Sequence, residues 1–570
     1  MFVTASGTSS KDGVGSGIRS ADAPRSGREA PAVSPGTMAA QQLHMSSQAG
    51  DRRLFASSAV VTALALVNAG LSYMVQRALA AQFGTRREMD AYLAAFALPA
   101  LIASAIADAV ALTLIPVFMS QRAKYGDQDA WRVSNALVTM SAVALSVLAG
   151  GLFLVAGPLM SISAPGLTGA SRNLAVALLR LMLPMIVCLS LAALLTAIHH
   201  AHGLFAAPAL ASVSNTAVML AGILLLAPRL GIYGVALGTT MGAAARFLWL
   251  APILGRRIAG GGYLQWRHVC VRHFWRLSLP LILAGFVFKA NLVVERFLAS
   301  WMPEGRISSL GYAYQIALLL AILATQGLGI TMLPRMCDQA AGGETAHVGR
   351  SLADGIRWVI FILTPVVVGV AVLSEPITRL LLRVGVFDEA SVHATAFALL
   401  AYLGFVYAGG LANMIARAFI AIQDLRPFIQ IGLVSTAVLI VLDVVLARWL
   451  GYIGLALAYS VMWFFSLALW LLAVRRRFKA FDWTPTISAG LVALTASAGM
   501  APICWILRAA VLTSAPRTLT ELALALLLVA TVGAAVYLLL VLLLTRRHSG
   551  PADPAGSTGF RDTGSLLETE

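Results

Sequence analysis

Residues 216–237 read Thr-Ala-Val-Met-Leu-Ala-Gly-Ile-Leu-Leu-Leu-Ala-Pro-Arg-Leu-Gly-Ile-Tyr-Gly-Val-Ala-Leu, and residues 436–457 read Thr-Ala-Val-Leu-Ile-Val-Leu-Asp-Val-Val-Leu-Ala-Arg-Trp-Leu-Gly-Tyr-Ile-Gly-Leu-Ala-Leu. The stretches lie 220 residues apart and share Thr-Ala-Val at the start, Leu-Gly at the joint, and then Gly, Ala and Leu in register. The same offset places Tyr92 on Tyr312, while Pro208 and Pro427 miss it by one residue. Each stretch is an apolar run, a glycine turn and a second apolar run, which is how two consecutive membrane helices are joined. Its recurrence predicts an internal duplication.

Outward from this joint the chain is apolar almost throughout. Of 570 residues, 59% are hydrophobic and 12% charged, against about 25% charged in an ordinary soluble domain. That excludes a soluble enzyme and makes a bilayer the solvent for most of the chain. Fourteen stretches are long enough for a hydrocarbon core of about 30 Å. They run 54–80, 91–119, 134–158, 174–197, 205–228, 232–254, 277–300, 308–333, 356–375, 392–420, 428–448, 453–474, 486–507 and 519–545, and are called spans 1 to 14. Spans 1, 2 and 10 are long enough to be kinked or tilted.

The duplication pairs spans 1–6 with spans 7–12 in the same membrane orientation and leaves spans 13 and 14 outside it. The predicted fold is an all-α polytopic membrane protein: two six-helix bundles related by a parallel pseudo-repeat, plus two extra C-terminal helices. This is the parallel type of duplication found in some secondary transporters. The domains follow: a tail over 1–52, a bundle over 53–254, a basic linker over 255–276, a bundle over 277–480, two helices over 481–547 and a tail over 548–570. Both tails are rich in small and polar residues without hydrophobic period, and read as disordered.

The net charge of +16 is carried by arginine, since only Lys11, Lys124, Lys289 and Lys479 are lysines. In a membrane protein this excess reports topology, not nucleic-acid binding. Loops on the N-terminal side hold Arg256, Arg257, Arg267, Arg272, Arg276 and the run Arg475 to Arg477, and outweigh the opposite loops. Both termini are therefore placed in the cytoplasm. Cys188, Cys270, Cys337 and Cys504 lack ligand spacing, so no metal or cofactor is expected. His199, His200 and His202 read as a solvated helix cap.

Ionisable groups at membrane depth mark functional candidates. Span 7 carries four polar positions: Lys289, Asn291, Glu295 and Arg296. Lys289 and Arg296 are seven apart and share a helix face, suited to an anionic head group such as a phosphate. Two plainer readings stand beside this: Lys289 pairs with Asp108 of span 2, or Glu295 and Arg296 sit at the water boundary. Asp108 or Glu295 could also hold a coupling cation. Arg77 and Arg246 are long enough to snorkel. Asn413, Arg417 and Asp443 could line a wet interior or join helices. There is no GxSxG, Walker loop or HExxH, so catalysis and nucleotide-driven transport in this chain are not expected.

Five stretches, in order, resemble the MurJ/MviN family of lipid II flippases within the multidrug/oligosaccharidyl-lipid/polysaccharide exporter superfamily. They are Phe83-Gly84 through Asp90-Ala91-Tyr92 to Phe96-Ala97-Leu98-Pro99; Ala164-Pro165-Gly166-Leu167; and Phe297-Leu298-Ala299-Ser300 through Gly305, Ser308, Leu310 and Tyr312-Ala313 to Leu333-Pro334. The others are Leu373 to Phe387 with Pro376 and Gly385, and Arg417 through Asp424 to Arg426 and Pro427. The resemblance covers roughly residues 54 to 480. It implies an inner-membrane flippase that moves a polyprenyl-diphosphate-linked saccharide by alternating access, coupled to membrane potential, H⁺ or Na⁺. The implied partners are the lipid-linked saccharide, membrane lipids and the machinery of peptidoglycan or polysaccharide synthesis. It also gives Asp90, Arg417, Asp424, Arg426 and Pro427 structural or gating roles.

The family's cavity arginines in spans 1, 2 and 8 are replaced. Span 1 reads Ala69 and Val75 with Arg77 displaced, span 2 reads Ile102 or Ala103, and span 8 reads Gln315. A diphosphate would then be met by Lys289, Arg296 and Arg77, with Asn291 and Gln315 beside them. The rival readings are an exporter of a different lipid-linked oligosaccharide, as in the Wzx branch, and a non-transporting scaffold. A glycosyltransferase and a cationic-drug exporter fit less well.

Overall fold

The computed structural model describes residues 60–252, 269–424, 426–512 and 518–548. From Val60 onward they belong to one compact unit. Both expected tails and most of the basic linker lie outside the described residues.

All regular structure among the described residues is helical. Among the described residues, twelve helices are long and apolar enough to cross a membrane. The two other expected spans coincide with helices at 60–83 and Ile232–Leu250, the latter continuous but carrying Arg246. Large apolar side chains point outward along these helices, including Leu225, Val147, Leu524 and Leu538, each more than half exposed. That is the surface a lipid-facing bundle presents, since lipid leaves no reason to hide them.

Among the described residues three spans are broken, while span 2 is one helix, Arg87–Tyr125, and span 10 is one helix, Glu389–Ala421. Span 3 breaks at Val155 between Asp127–Leu154 and Ala156–Ser163. Pro158 cannot donate to the carbonyl of Leu154 there. Span 4 breaks at Leu183 before Pro184 for the same reason. Span 7 breaks at Ala290, between Val269–Lys289 and Asn291–Ala299, with no proline at the break. There the Ala290 N–H reaches the Val287 carbonyl at 3.3 Å in a tightened turn.

The duplication recurs in the packing. Span 2 packs on span 4, span 4 on span 6 and span 5 on span 6; span 8 packs on span 10, span 10 on span 12 and span 11 on span 12. The joints match in backbone detail: Gly231 has φ 59°, ψ −141°, and Gly451 has φ 61°, ψ −140°. These left-handed φ values favour glycine. Spans 13 and 14 (Trp483–Leu512 and Leu519–His548) pack on each other and on span 9, around a small core of Leu373, Met500, Cys504 and Val529.

The histidines differ from expectation. His199 is 5% exposed with Nδ1 2.8 Å from the Leu195 carbonyl, and His202 lies 4.9 Å from Trp131 and 5.1 Å from Phe118 between ring centroids. Both pack the end of span 4, where His202 is the C-cap residue, its N–H bonded to the Ile198 and His199 carbonyls.

One end of the molecule is tied by a local cap. Asp388 accepts from the Ser391 N–H at 2.8 Å and the Ser391 Oγ–H at 2.6 Å, opening span 10. These bonds hold its carboxyl below the usual carboxylate range. Asp388→Ala is expected to cost about 1 kcal/mol, as caps do. Because the pKa is depressed in the folded state, this stability is present above the ordinary Asp value and is lost as pH falls through the lowered one. Thermal unfolding of both proteins at neutral and acid pH would converge as the carboxyl protonates.

Candidate functional site

The two halves are sealed together at one face, which carries the turns after spans 1, 3, 7 and 9. Span 8 (Arg306–Ala341) starts without a side-chain cap of its own, its N-cap being Gly305. Asp90 of span 2 supplies one from the other half. Its carboxylate accepts from Gly305 N–H at 2.6 Å, Ser308 N–H at 2.8 Å and Ser308 Oγ–H at 2.5 Å, while itself 5% exposed. A carboxylate at a helix N-terminus meets unsatisfied N–H groups and the positive end of the dipole. Around it Tyr312 Oη donates to the Gly84 carbonyl at 3.3 Å, and the Thr85 and Ser391 hydroxyls lie 2.7 Å apart.

The other pair of turns completes the seal. The Gly166 N–H donates to Ser300 Oγ at 3.0 Å, and the Val386 N–H donates to the Ala81 carbonyl at 3.1 Å. Gly385 has φ +62°, and a Cβ there would collide with the Ala81 carbonyl. Gly385→Ala is therefore expected to weaken this seal and lower the yield of any cross-link across it, even if the protein folds. Arg77 also lies here: its Nη1 donates to Tyr73 Oη at 3.1 Å and to the Leu380 carbonyl of span 9 at 3.4 Å. It is absent from the cavity wall.

Beneath the seal lies a cavity of about 690 Å³, in the size range of small-molecule sites. It is lined not only by spans 1, 2, 7 and 8 but also by spans 10, 11 and 12. Its charged lining residues are Lys289, Glu295 and Arg296, all from span 7, with Asn291 among them. Span 1 contributes Gln76, span 8 Gln315 and span 10 Asn413. The replaced arginine positions stay neutral, and Val75, Ile102 and Ala103 are packed in the core.

Lys289 sits at the break in span 7. Its Nζ is 2.7 Å from Asp108 Oδ2, with side chains 34% and 62% exposed. The pair joins the two halves. Arg296, by contrast, is 7% exposed, with Nη1 donating to the Ile307 carbonyl at 3.1 Å and 3.4 Å from Glu295 Oε1. Buried Asp443 lies within electrostatic reach of Glu295.

Span 10 ends near a short turn in which Asp424 Oδ1 accepts from the Arg426 N–H at 3.3 Å. Pro427 follows at the start of span 11, Arg417 is half-buried one turn before the end of span 10, and none of these lines the cavity. Sequence reasoning missed Gln76 and the aromatic wall formed by Phe428, Trp463 and Trp470. The available signal was the spacing of Tyr459, Met462, Trp463, Ser466 and Trp470, which places them on one helix face.

Comparison with known proteins gives the fold and the family. A chain from Vibrio cholerae named as a probable lipid II flippase MurJ is 25% identical over 73% of this chain and 82% of its own length. One from Burkholderia cenocepacia named as lipid II flippase MurJ is 26% identical over 74% and 84%. A solved structure of lipid II flippase MurJ in an inward closed conformation matches with TM-score 0.74 and 21% identity, covering 86% of this chain and 99% of that one. An inward-facing MATE-family multidrug resistance transporter matches with TM-score 0.60 and 14% identity over 73% and 95%. These two structures share the fold. A family model described as lipid II flippase MurJ matches residues 79–545, and the chain belongs to that family.

Proposed function

We propose that this protein is a flippase that carries a polyprenyl-diphosphate-linked saccharide, lipid II or a close relative, across the bacterial inner membrane. The observation that carries this reading is Lys289. It stands at a helix break, on the wall of a cavity between two halves, and among the described residues its ammonium is paired with one half-exposed carboxylate. Exposed ion pairs are worth about 0–1 kcal/mol, so a diphosphate, with more than one negative charge, displaces Asp108 readily. Arg296, Asn291 and Gln315 extend the polar side of the same wall.

In this reading the two halves, 53–254 and 277–480, rock about the cavity, and the sealed face is the periplasmic one. Positive charge in the opposite loops supports that orientation and cytoplasmic termini. Asp90 and Arg77 hold the sealed state, and the Arg417, Asp424, Arg426 and Pro427 turn steadies the opposite end. Binding biases this equilibrium only through different affinity for the two states. Glu295, beside Arg296 on the cavity wall, is the group that H⁺ or Na⁺ meets, which ties the movement to an ion gradient or the membrane potential rather than to nucleotide hydrolysis. The polymerases that consume the exported precursor are the expected partners.

The neutral residues at the family's arginine positions favour a second reading, a flippase for another lipid-linked oligosaccharide. Complementation separates the two. A cell depleted of its own lipid II flippase is expected to grow when it expresses this chain. Lysis despite normal amounts of the protein in the membrane would exclude lipid II and leave the second reading.

A further inference from the structure

The cavity's charges come from span 7, while spans 11 and 12, which pack against span 7, line it with aromatic rings. Phe428 is 43% exposed and stands edge-on to Trp470, 5.4 Å between centroids at 77°. Trp463 is half-buried and braced by Phe405 at 5.7 Å and Tyr459 at 6.4 Å.

Tryptophans serving the membrane interface look different. Trp449, Trp505 and Trp249 are 82%, 63% and 51% exposed, and Trp249 and Trp449 lie at helix ends, as an interfacial belt requires. Trp463 lies in the middle of span 12 (Tyr452–Arg477) and faces the cavity. A rigid aromatic face matches a pyranose ring, whose C–H face is electropositive towards the π-cloud.

We infer that Phe428 and Trp463 form a saccharide platform that holds the sugar of the cargo while its diphosphate sits at Lys289. This rests on the cavity reading proposed above and assigns the cavity's aromatic lining. The rings supply stacking that tolerates several sugars. Selection of the cargo by its saccharide then lies in spans 11 and 12, not in span 7.

The test uses the full chain in nanodiscs and calorimetry with two soluble probes, citronellyl diphosphate alone and the same compound bearing a disaccharide of N-acetylhexosamines. The wild type is expected to bind the sugar-bearing probe about tenfold more tightly than the bare diphosphate, the difference expected from one well-formed stacking contact. Trp463→Ala and Phe428→Ala should remove that difference and leave binding of the bare diphosphate unchanged, while Trp463→Phe keeps most of it. Lys289→Ala should weaken both probes. Equal wild-type binding of the two probes, or Trp463→Ala weakening both alike while Trp463→Phe does the same, would overturn the platform. Wild-type failure to bind bare diphosphate, with the sugar preference intact, would overturn the diphosphate reading alone. Failure to bind either probe would overturn both.

Discussion

Lys289→Ala is expected to abolish export while the protein accumulates normally in the membrane. Truncating one partner of a desolvated charge contact costs about 2–5 kcal/mol, so the loss of transport should exceed tenfold. Asp108 is the only partner recorded for the Lys289 ammonium among the described residues, and Lys289→Ala leaves that carboxylate unpaired, so membrane abundance is measured beside transport. Lys289→Arg keeps the charge and should retain part of the activity. Asp108→Asn frees the lysine and should preserve export. Transport rate and membrane abundance, measured for all three variants, check the claim. A fully active Lys289→Ala protein would remove Lys289 from the substrate path.

Asp90→Ala should have the second-largest effect, on the balance between states rather than on binding. The substitution removes three bonds at once from the start of span 8, two of them to backbone N–H groups. Hydrogen bonds to a charged group contribute about 1.5–3 kcal/mol each. Losing even one such increment shifts a two-state equilibrium more than tenfold. The Thr85 and Ser391 hydroxyls, 2.7 Å apart across the seal, give the readout. A Thr85→Cys, Ser391→Cys pair should cross-link under oxidant in the native background and block export. With Asp90→Ala added, the cross-link yield should fall severalfold. An unchanged yield would mean that the two halves are held by the remaining contacts alone.

The fold was largely legible because bilayer thickness sets the length of an apolar run, and because the repeated Leu-Gly joint needs the same left-handed glycine in both halves. Breaks at Pro158 and Pro184 carry a chemical signal in the sequence. The break at Ala290 does not, since Lys289, Ala290 and Asn291 all accept helical backbone. The site was legible in part. Span 7 announced itself through charge, but whether Lys289 faced Asp108 depended on how two helices far apart in sequence cross.

Arg77 shows the same limit. A one-residue rotation separates Gln76, which lines the cavity, from Arg77, which ties span 1 to span 9. The aromatic wall was harder still, because tryptophan and phenylalanine are equally at home against lipid and against a cavity, and composition cannot tell the two faces apart. The histidines were misread because a buried ring held by backbone carbonyls and aromatics has no distinct pattern.

The most direct measurement is the appearance of lipid II at the outer surface. In cells depleted of their own flippase and expressing this chain, externally labelled lipid II should reach normal levels, and Lys289→Ala should return them to the depleted baseline. Lipid II that stays inaccessible while the wild-type chain is abundant in the membrane would contradict its assignment as the cargo.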